Sequence, residues 1–558
     1  METAEHFSLA QCVASKLMLD LRYYDSGQGQ QPVLELIPDL AEELSALRPG
    51  GVILFRENLA DLEQIQKLTA QIRECLGVNT LIAIDQEGGR VTRLPREACT
   101  NFSGNMALAA CEEGEALARR QGAAQAAELA ALGINVNFVP SLDVNSNGDN
   151  PVIGVRSFGD DPQRVATLGA ALLEGLQAGG LAGSLKHFPG HGDTHQDSHT
   201  DLPQIGRSRE QAWQVDLAPF AEVIQRANPA MVMTAHIQYP SLDSATIKGT
   251  DTLVPATLSR KMMTDLLRGE MGFKGLIITD ALDMRAISDM LSPTEAVKAC
   301  FQAGVDIALM PLVVRSGESF RQLGEMVEAV VQAVDSGQLD EREVRTSAAR
   351  VRALQSRLAT AVAVQGDIAV TEHLKLEQSI AESSLTLLSG QLSPLTEGAR
   401  VHVLMPGEET ASAMREALML QGLSLEVSHQ SLEAFDAGLE RDLVGRADFY
   451  LMGVSEPATS AVVVGGAEDL PGLAGEQSPA ELQQALLQLA KGRPRAVLML
   501  NSPYRASEFQ SLAELVLASY DGAPQGFGGS PGPAFKAVAR ALCGRIALRG
   551  SLPVRPGL

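Results

Sequence analysis

Over the first 312 or so residues, short apolar runs alternate with helix-length amphipathic segments, and this alternation constrains the fold more than any other feature. The runs at 16–21, 51–55, 81–85, 134–139, 181–186, 230–235, 276–280 and 305–310 read as strands. Eight strands, each followed by a helical stretch, make the pattern of a (β/α)8 barrel of the TIM type. A doubly wound sheet is the rival. The polar residues favour the barrel: Asp85, Lys186, His187, His236 and Asp280 fall at or just past the C-terminal ends of different strands, where such barrels build their active sites.

Helical segments follow at 318–335 and 340–358, and periodicity then weakens across 361–372, a candidate linker. Beyond it come a helix at 374–384, strands at 385–388, 401–405, 423–427, 449–453, 496–500 and 515–519, and helices at 411–421 and 480–489. The expected organisation is a barrel with trailing helices over 1–360, the linker at 361–372, and a smaller α/β domain over 373–558. No Gly-x-Gly-x-x-Gly fingerprint opens that domain, which argues against a nucleotide site. Val464-Gly465-Gly466 and 526–532 read as loops.

A chain of 558 residues exceeds one core, in keeping with two domains. Its net charge of −23 argues against nucleic acid or an anionic membrane as a partner. The six cysteines lack CxxC spacing, the N-terminus is acidic, and no apolar run reaches the roughly 18 residues of a membrane span, so a cytoplasmic protein is expected.

Four of the nine histidines fall in one stretch, Lys186-His187-Phe188-Pro189-Gly190-His191-Gly192-Asp193-Thr194-His195-Gln196-Asp197-Ser198-His199. Their four-residue spacing suggests metal ligands on a helix face. Pro189, Gly190 and Gly192 break that helix, so no metal site is expected. Asp197 and His199 offer different chemistry: a carboxylate two residues from an imidazole fixes its tautomer and raises its basicity, which makes a proton-transfer pair.

The run Lys-His-Phe-Pro-Gly-His-Gly followed by Asp-Ser-His resembles the β-N-acetylhexosaminidase branch of glycoside hydrolase family 3. The resemblance implies a barrel followed by an α/β sandwich, and the ending from Gly544 to Val554 is similar to that sandwich's close. It also implies a retaining exo-β-N-acetylglucosaminidase that takes N-acetylglucosamine-containing saccharides from chitin or peptidoglycan without a cofactor. Asp197 and His199 would be the acid/base and Asp280, opening Asp280-Ala281-Leu282-Asp283-Met284, the nucleophile, with Asp283 second.

Sugar hydroxyls are best held by charged groups that form two hydrogen bonds each. The resemblance assigns that task to Asp85, Arg93, Arg156, Lys186 and His187. His236 and Met233 line the sixth strand, although an inward methionine is more often core than contact. A β-glucosidase of the same family is the alternative, and a sugar-binding protein on an inactive barrel the non-enzymatic one. Because an imidazole base repels an incoming anion less than a carboxylate does, phosphate is expected to compete with water in part as acceptor, and an N-acetylglucosaminide phosphorylase is a further alternative.

Overall fold

A strand covered on both faces by helices must be apolar at successive positions, and the barrel strands meet that condition almost without exception. The computed structural model describes residues 7–194, 202–361, 368–455 and 480–555. Its first sheet has eight strands: β1 Leu17–Asp20, β2 Gly51–Leu54, β3 Leu81–Ile84, β4 Val136–Asn137, β5 Ala182–Phe188, β6 Met231–Thr234, β7 Leu276–Ile278 and β8 Ala308–Leu309. All pair in parallel in the order β8-β1-β2-β3-β4-β5-β6-β7. A bridge between Ile278 and Ile307, with Thr279 N donating to Ile307 O at 3.0 Å, brings the last two strands together and nearly closes the ring.

Two of these strands, β4 and β8, are cut to two residues within longer apolar runs. At β4, the Asn135 and Asn137 side chains accept from Ile82 N and Gln86 N at 2.8 and 2.9 Å, so amides replace the ladder at both ends. At β8, the Asp306 carboxylate accepts from Ile277 N at 2.8 Å, and Met310 turns out of the strand at a φ of 47°. Inward side chains including Met18, Ile53, Ala83, Met231 and Ile278 form one cluster. Helix Glu341–Ala361 adds Val351, Leu354 and Leu358 to it, and Gln355 Nε2 donates to Gly50 O ahead of β2 at 2.8 Å. That helix therefore stops the N-terminal mouth of the barrel.

The second sheet comprises β9 Thr386–Gly390, β10 Arg400–Met405, β11 Glu426–Ser431, β12 Phe449–Val454, β13 Arg495–Met499 and β14 Leu515–Ala518. Its order is β9-β14-β13-β12-β10-β11, with β9 antiparallel and the rest parallel. The expected strand at 423–427 starts later, as β11. Gly422 and Ser424 both take positive φ and prolong the turn after the preceding helix, and the edge position then accepts the polar run from Ser428 to Ser431. Residues 362–367 of the expected linker and Val464-Gly465-Gly466 lie outside the described residues.

The second domain packs against loops at the C-terminal end of the barrel. Asn145 Nδ2 donates to the Tyr504 hydroxyl, and Gly528 N donates to Glu97 O at 2.9 Å. Glu377, on helix Thr371–Ser384, is buried in this region. Burial pushes its carboxyl up to about 7; Lys536 and a backbone donor at Asn101 pull the other way, while Asp521 and Glu128 reinforce the rise. In an unfolded chain the group titrates near about 4.3. Its contribution to stability is therefore full below that value and is lost as pH climbs toward 7, by up to about 4 kcal/mol. Glu377→Gln is expected to raise the melting temperature at pH 8 and leave it nearly unchanged at pH 4.5, and thermal scans at the two pH values decide the point.

Candidate active site

Buried cations persist in a fold only when carboxylates and hydrogen bonds compensate them, and the C-terminal end of the barrel shows how this is arranged. The loop after β3 brings Asp85 and Glu87 toward Lys186 on β5. Lys186 Nζ stands 2.6 Å from Asp85 Oδ1 and 2.6 Å from Glu87 Oε1. Arg156, from the loop after β4, binds Glu87 with two donors, Nη2 at 2.7 Å and Nε at 3.0 Å. Burial alone would raise the Glu87 pKa, but Arg156 and Lys186 outweigh it and hold the carboxylate well below its usual range.

Arg93 returns on the same loop. It feels the charges of Asp85, Glu87 and Arg156, and its guanidinium lies 5.8 Å from the Phe55 ring centroid. Gly88 and Gly89, both at positive φ, let this loop run against the backbone at Phe102 and Ser103, where a Cβ would approach within 2.8 and 2.9 Å. Four of the expected sugar-binding residues, Asp85, Arg93, Arg156 and Lys186, thus converge. Glu87 is the common counter-charge of Arg156 and Lys186.

His187 is organised differently. Asp143, fully buried in the loop after β4, accepts from His187 N at 3.2 Å and His191 N at 2.7 Å through Oδ1, while its Oδ2 meets His187 Nδ1 at 2.7 Å. Burial opposes ionisation of Asp143, and the surrounding histidines overcome it, keeping the carboxyl well below its ordinary range. With Nδ1 on Asp143, the other ring nitrogen of His187 is the one directed elsewhere. Nothing in the sequence near Asp143 signals this partnership, since the two segments are 44 residues apart.

Asp280 follows β7 by two residues and is partly exposed, with Oδ1 accepting from Ala281 N at 2.9 Å. His236, expected to line the sixth strand as a candidate sugar contact, has both ring nitrogens engaged by the protein. Its ring is fully buried, with Nδ1 2.7 Å from Thr257 Oγ1 and Nε2 2.8 Å from Ala281 O. A carbonyl accepts only, so Nε2 carries a proton, while the Thr257 hydroxyl beside Nδ1 also donates to Ala235 O at 3.0 Å. His236 therefore grips the backbone beside Asp280. Met233 sits in the barrel's interior cluster at 3% exposure, consistent with core packing.

Asp197 and His199 lie outside the described residues, but both roots of their segment are described. Asp193 Oδ1 accepts from Arg207 Nη2 at 3.1 Å and from Ser146 Oγ at 2.9 Å. The same guanidinium reaches Asp216, whose other oxygen accepts from the Tyr239 hydroxyl at 2.7 Å. Arg207 thus ties the residue before the segment to the residues after it.

The family model described as the glycosyl hydrolase family 3 N-terminal domain matches residues 26–354. Beta-hexosaminidase A of Pseudoalteromonas piscicida is 39% identical over 577 residues, spanning 98% of this chain and 96% of its own. A beta-hexosaminidase of Neisseria meningitidis serogroup C is 40% identical over 268 residues, covering 47% of this chain and 71% of its own. Among solved structures, a glycoside hydrolase family 3 beta-N-acetylglucosaminidase from Paenibacillus sp. str. FPU-7 superposes with a TM-score of 0.82 at 31% identity, over 98% of this chain and 99% of that one.

Proposed function

The chain belongs to glycosyl hydrolase family 3, and from that premise we propose that it is a retaining exo-β-N-acetylglucosaminidase that releases terminal N-acetylglucosamine from chitin-derived or peptidoglycan-derived oligosaccharides. The observation that carries this reading is the convergence of Asp85, Glu87, Arg156 and Lys186 at the end of the barrel where β7 leads into Asp280. A network of charged donors and acceptors matches a ring of hydroxyls, and a partly exposed carboxylate at the same end supplies a nucleophile.

In the first step a carboxylate oxygen of Asp280 attacks the anomeric carbon as the glycosidic bond breaks, and His199 gives its proton to the departing oxygen. In the second, His199 takes a proton from water, whose oxygen attacks the same carbon and releases Asp280. Asp197 orients the imidazole. The Ala281 N–H holds one Asp280 oxygen, and His236 fixes Ala281 from the other side, so the nucleophile is oriented by backbone that is itself anchored.

Phosphate in place of water would give the sugar 1-phosphate, and this is proposed as a minor route. Residence in the cytoplasm belongs to the same reading, supported by six cysteines that are all unbridged. Among the described residues no helix is long and apolar enough to cross a membrane.

Product analysis on chitobiose and on a muropeptide, side by side, tests the proposal. Release of N-acetylglucosamine as the β-anomer from either substrate is expected, with sugar phosphate a minor product when phosphate is present. The α-anomer as first product would overturn the retaining mechanism. Turnover of aryl glucosides in preference to aryl N-acetylglucosaminides would make the enzyme a β-glucosidase.

A further inference from the structure

At the opposite end of the barrel, helix Glu341–Ala361 and the segments leading into β1 and β8 line a half-open cavity of about 370 Å³. Its charged lining is four cations, Lys16, Arg268, Arg342 and Arg350, against Asp340 and Glu343. Asp306 pairs with Arg268 and Arg350, and Arg260 pairs with Glu343, so including these two neighbours leaves the surplus of two positive charges unchanged. Such a surplus is conspicuous in a chain of net charge −23.

The donors there are also underused. Lys16 is 1% exposed, and its ammonium makes one hydrogen bond, to Val305 O at 3.2 Å, while lying 3.7 Å from the Phe301 ring centroid. Two of its N–H bonds are therefore unspent. Arg268 Nε is buried without a partner, although the other end of that guanidinium binds Gly275 O and Asp306. Arg342 and Thr346, exposed on the first two turns of the helix, line the same cavity, and the helix's positive end adds to its field.

We infer that this cavity is a binding site for a dianionic oxyanion of the phosphate class, either inorganic phosphate or the phosphate of a small ester. A dianion matches the surplus of two, and its oxygens accept from Lys16, Arg268 and the mouth residues. Burial brings the Lys16 amine down to about 8, with Arg350 and Arg268 pressing the same way and Asp306 opposing, so the empty cavity disfavours a charge that a bound anion would restore. The volume exceeds the needs of phosphate alone, which leaves room for a sugar-sized substituent. The site lies across the barrel from Asp280 and is independent of the glycosidase reading.

Calorimetric titration of the full chain with sodium phosphate at pH 7 and fixed ionic strength tests the inference. One saturable site is expected, weakened about tenfold by Arg342→Gln, the value of one charge-assisted hydrogen bond, and at least as much by Lys16→Met. Arg342 is exposed on the surface, so its variant should fold and keep hydrolysing an aryl N-acetylglucosaminide at the wild-type rate. Tighter binding of a hexose 6-phosphate than of inorganic phosphate identifies an ester as the occupant, and the reverse order identifies the free anion. No saturable heat, an equal heat from chloride, or a phosphate affinity unchanged in both variants would overturn the site.

Discussion

Asp280→Ala is expected to lower kcat on an aryl N-acetylglucosaminide by about 10⁴-fold or more, even with dinitrophenolate as the leaving group. β7 delivers Asp280 to the rim, where Ala281 N holds one of its oxygens. Removing that carboxylate removes the atom that bonds to the anomeric carbon, and a better leaving group does not replace it. Added azide should restore part of the turnover and yield the α-glycosyl azide, because a small anion can enter the space the side chain leaves. Asp283→Ala should be far milder. Steady-state rates of the two variants with and without azide decide the matter, and a severe Asp283→Ala beside a tolerant Asp280→Ala would move the nucleophile.

The second large effect concerns the proton. His199→Ala should slow chitobiose hydrolysis by about 10³-fold, in the range of general acid/base contributions, because a sugar alkoxide leaves poorly without protonation. A dinitrophenyl glycoside needs no such help, so the variant should release a burst of dinitrophenolate and then stall, with glycosylated Asp280 accumulating. Asp197→Ala should act in the same direction but less strongly, since the imidazole remains and only its partner is lost. Rapid-mixing measurements of the burst, with mass spectrometry of the trapped enzyme, distinguish the steps. Wild-type activity of His199→Ala on chitobiose would transfer the acid role to another group, with His187 or His191 next in line.

The barrel is legible from sequence because parallel strands covered on both sides leave nearly continuous apolar runs, and all eight such runs carry a strand. Strand ends are less so. Asn135, Asn137 and Asp306 substitute side chains for backbone in the ladder, and an apolar run contains no mark of where that substitution begins. In the second domain, edge exposure allows β11 to be polar, which hides it from any search for hydrophobic residues.

Within the candidate site, Asp85 and Lys186 could be named because strand-end position and residue type are both local properties, and Arg156 could be named through the resemblance. Glu87 and Asp143 could not, because their importance lies in partners 69 and 44 residues away. His236 illustrates the same limit from the other side. The sequence places it at a strand end beside the chemistry, but only the three-dimensional arrangement reveals that Thr257 and Ala281 occupy its two nitrogens.

Arg207 holds Asp193 and Asp216 together at the base of the segment that contains Asp197 and His199. Two carboxylates that flank positions 195–201 thus share one cation, so the described ends of that span are clamped at a fixed separation. A graft that exchanges the span between relatives should be cut just inside Asp193 and Arg207, so that the clamp is kept.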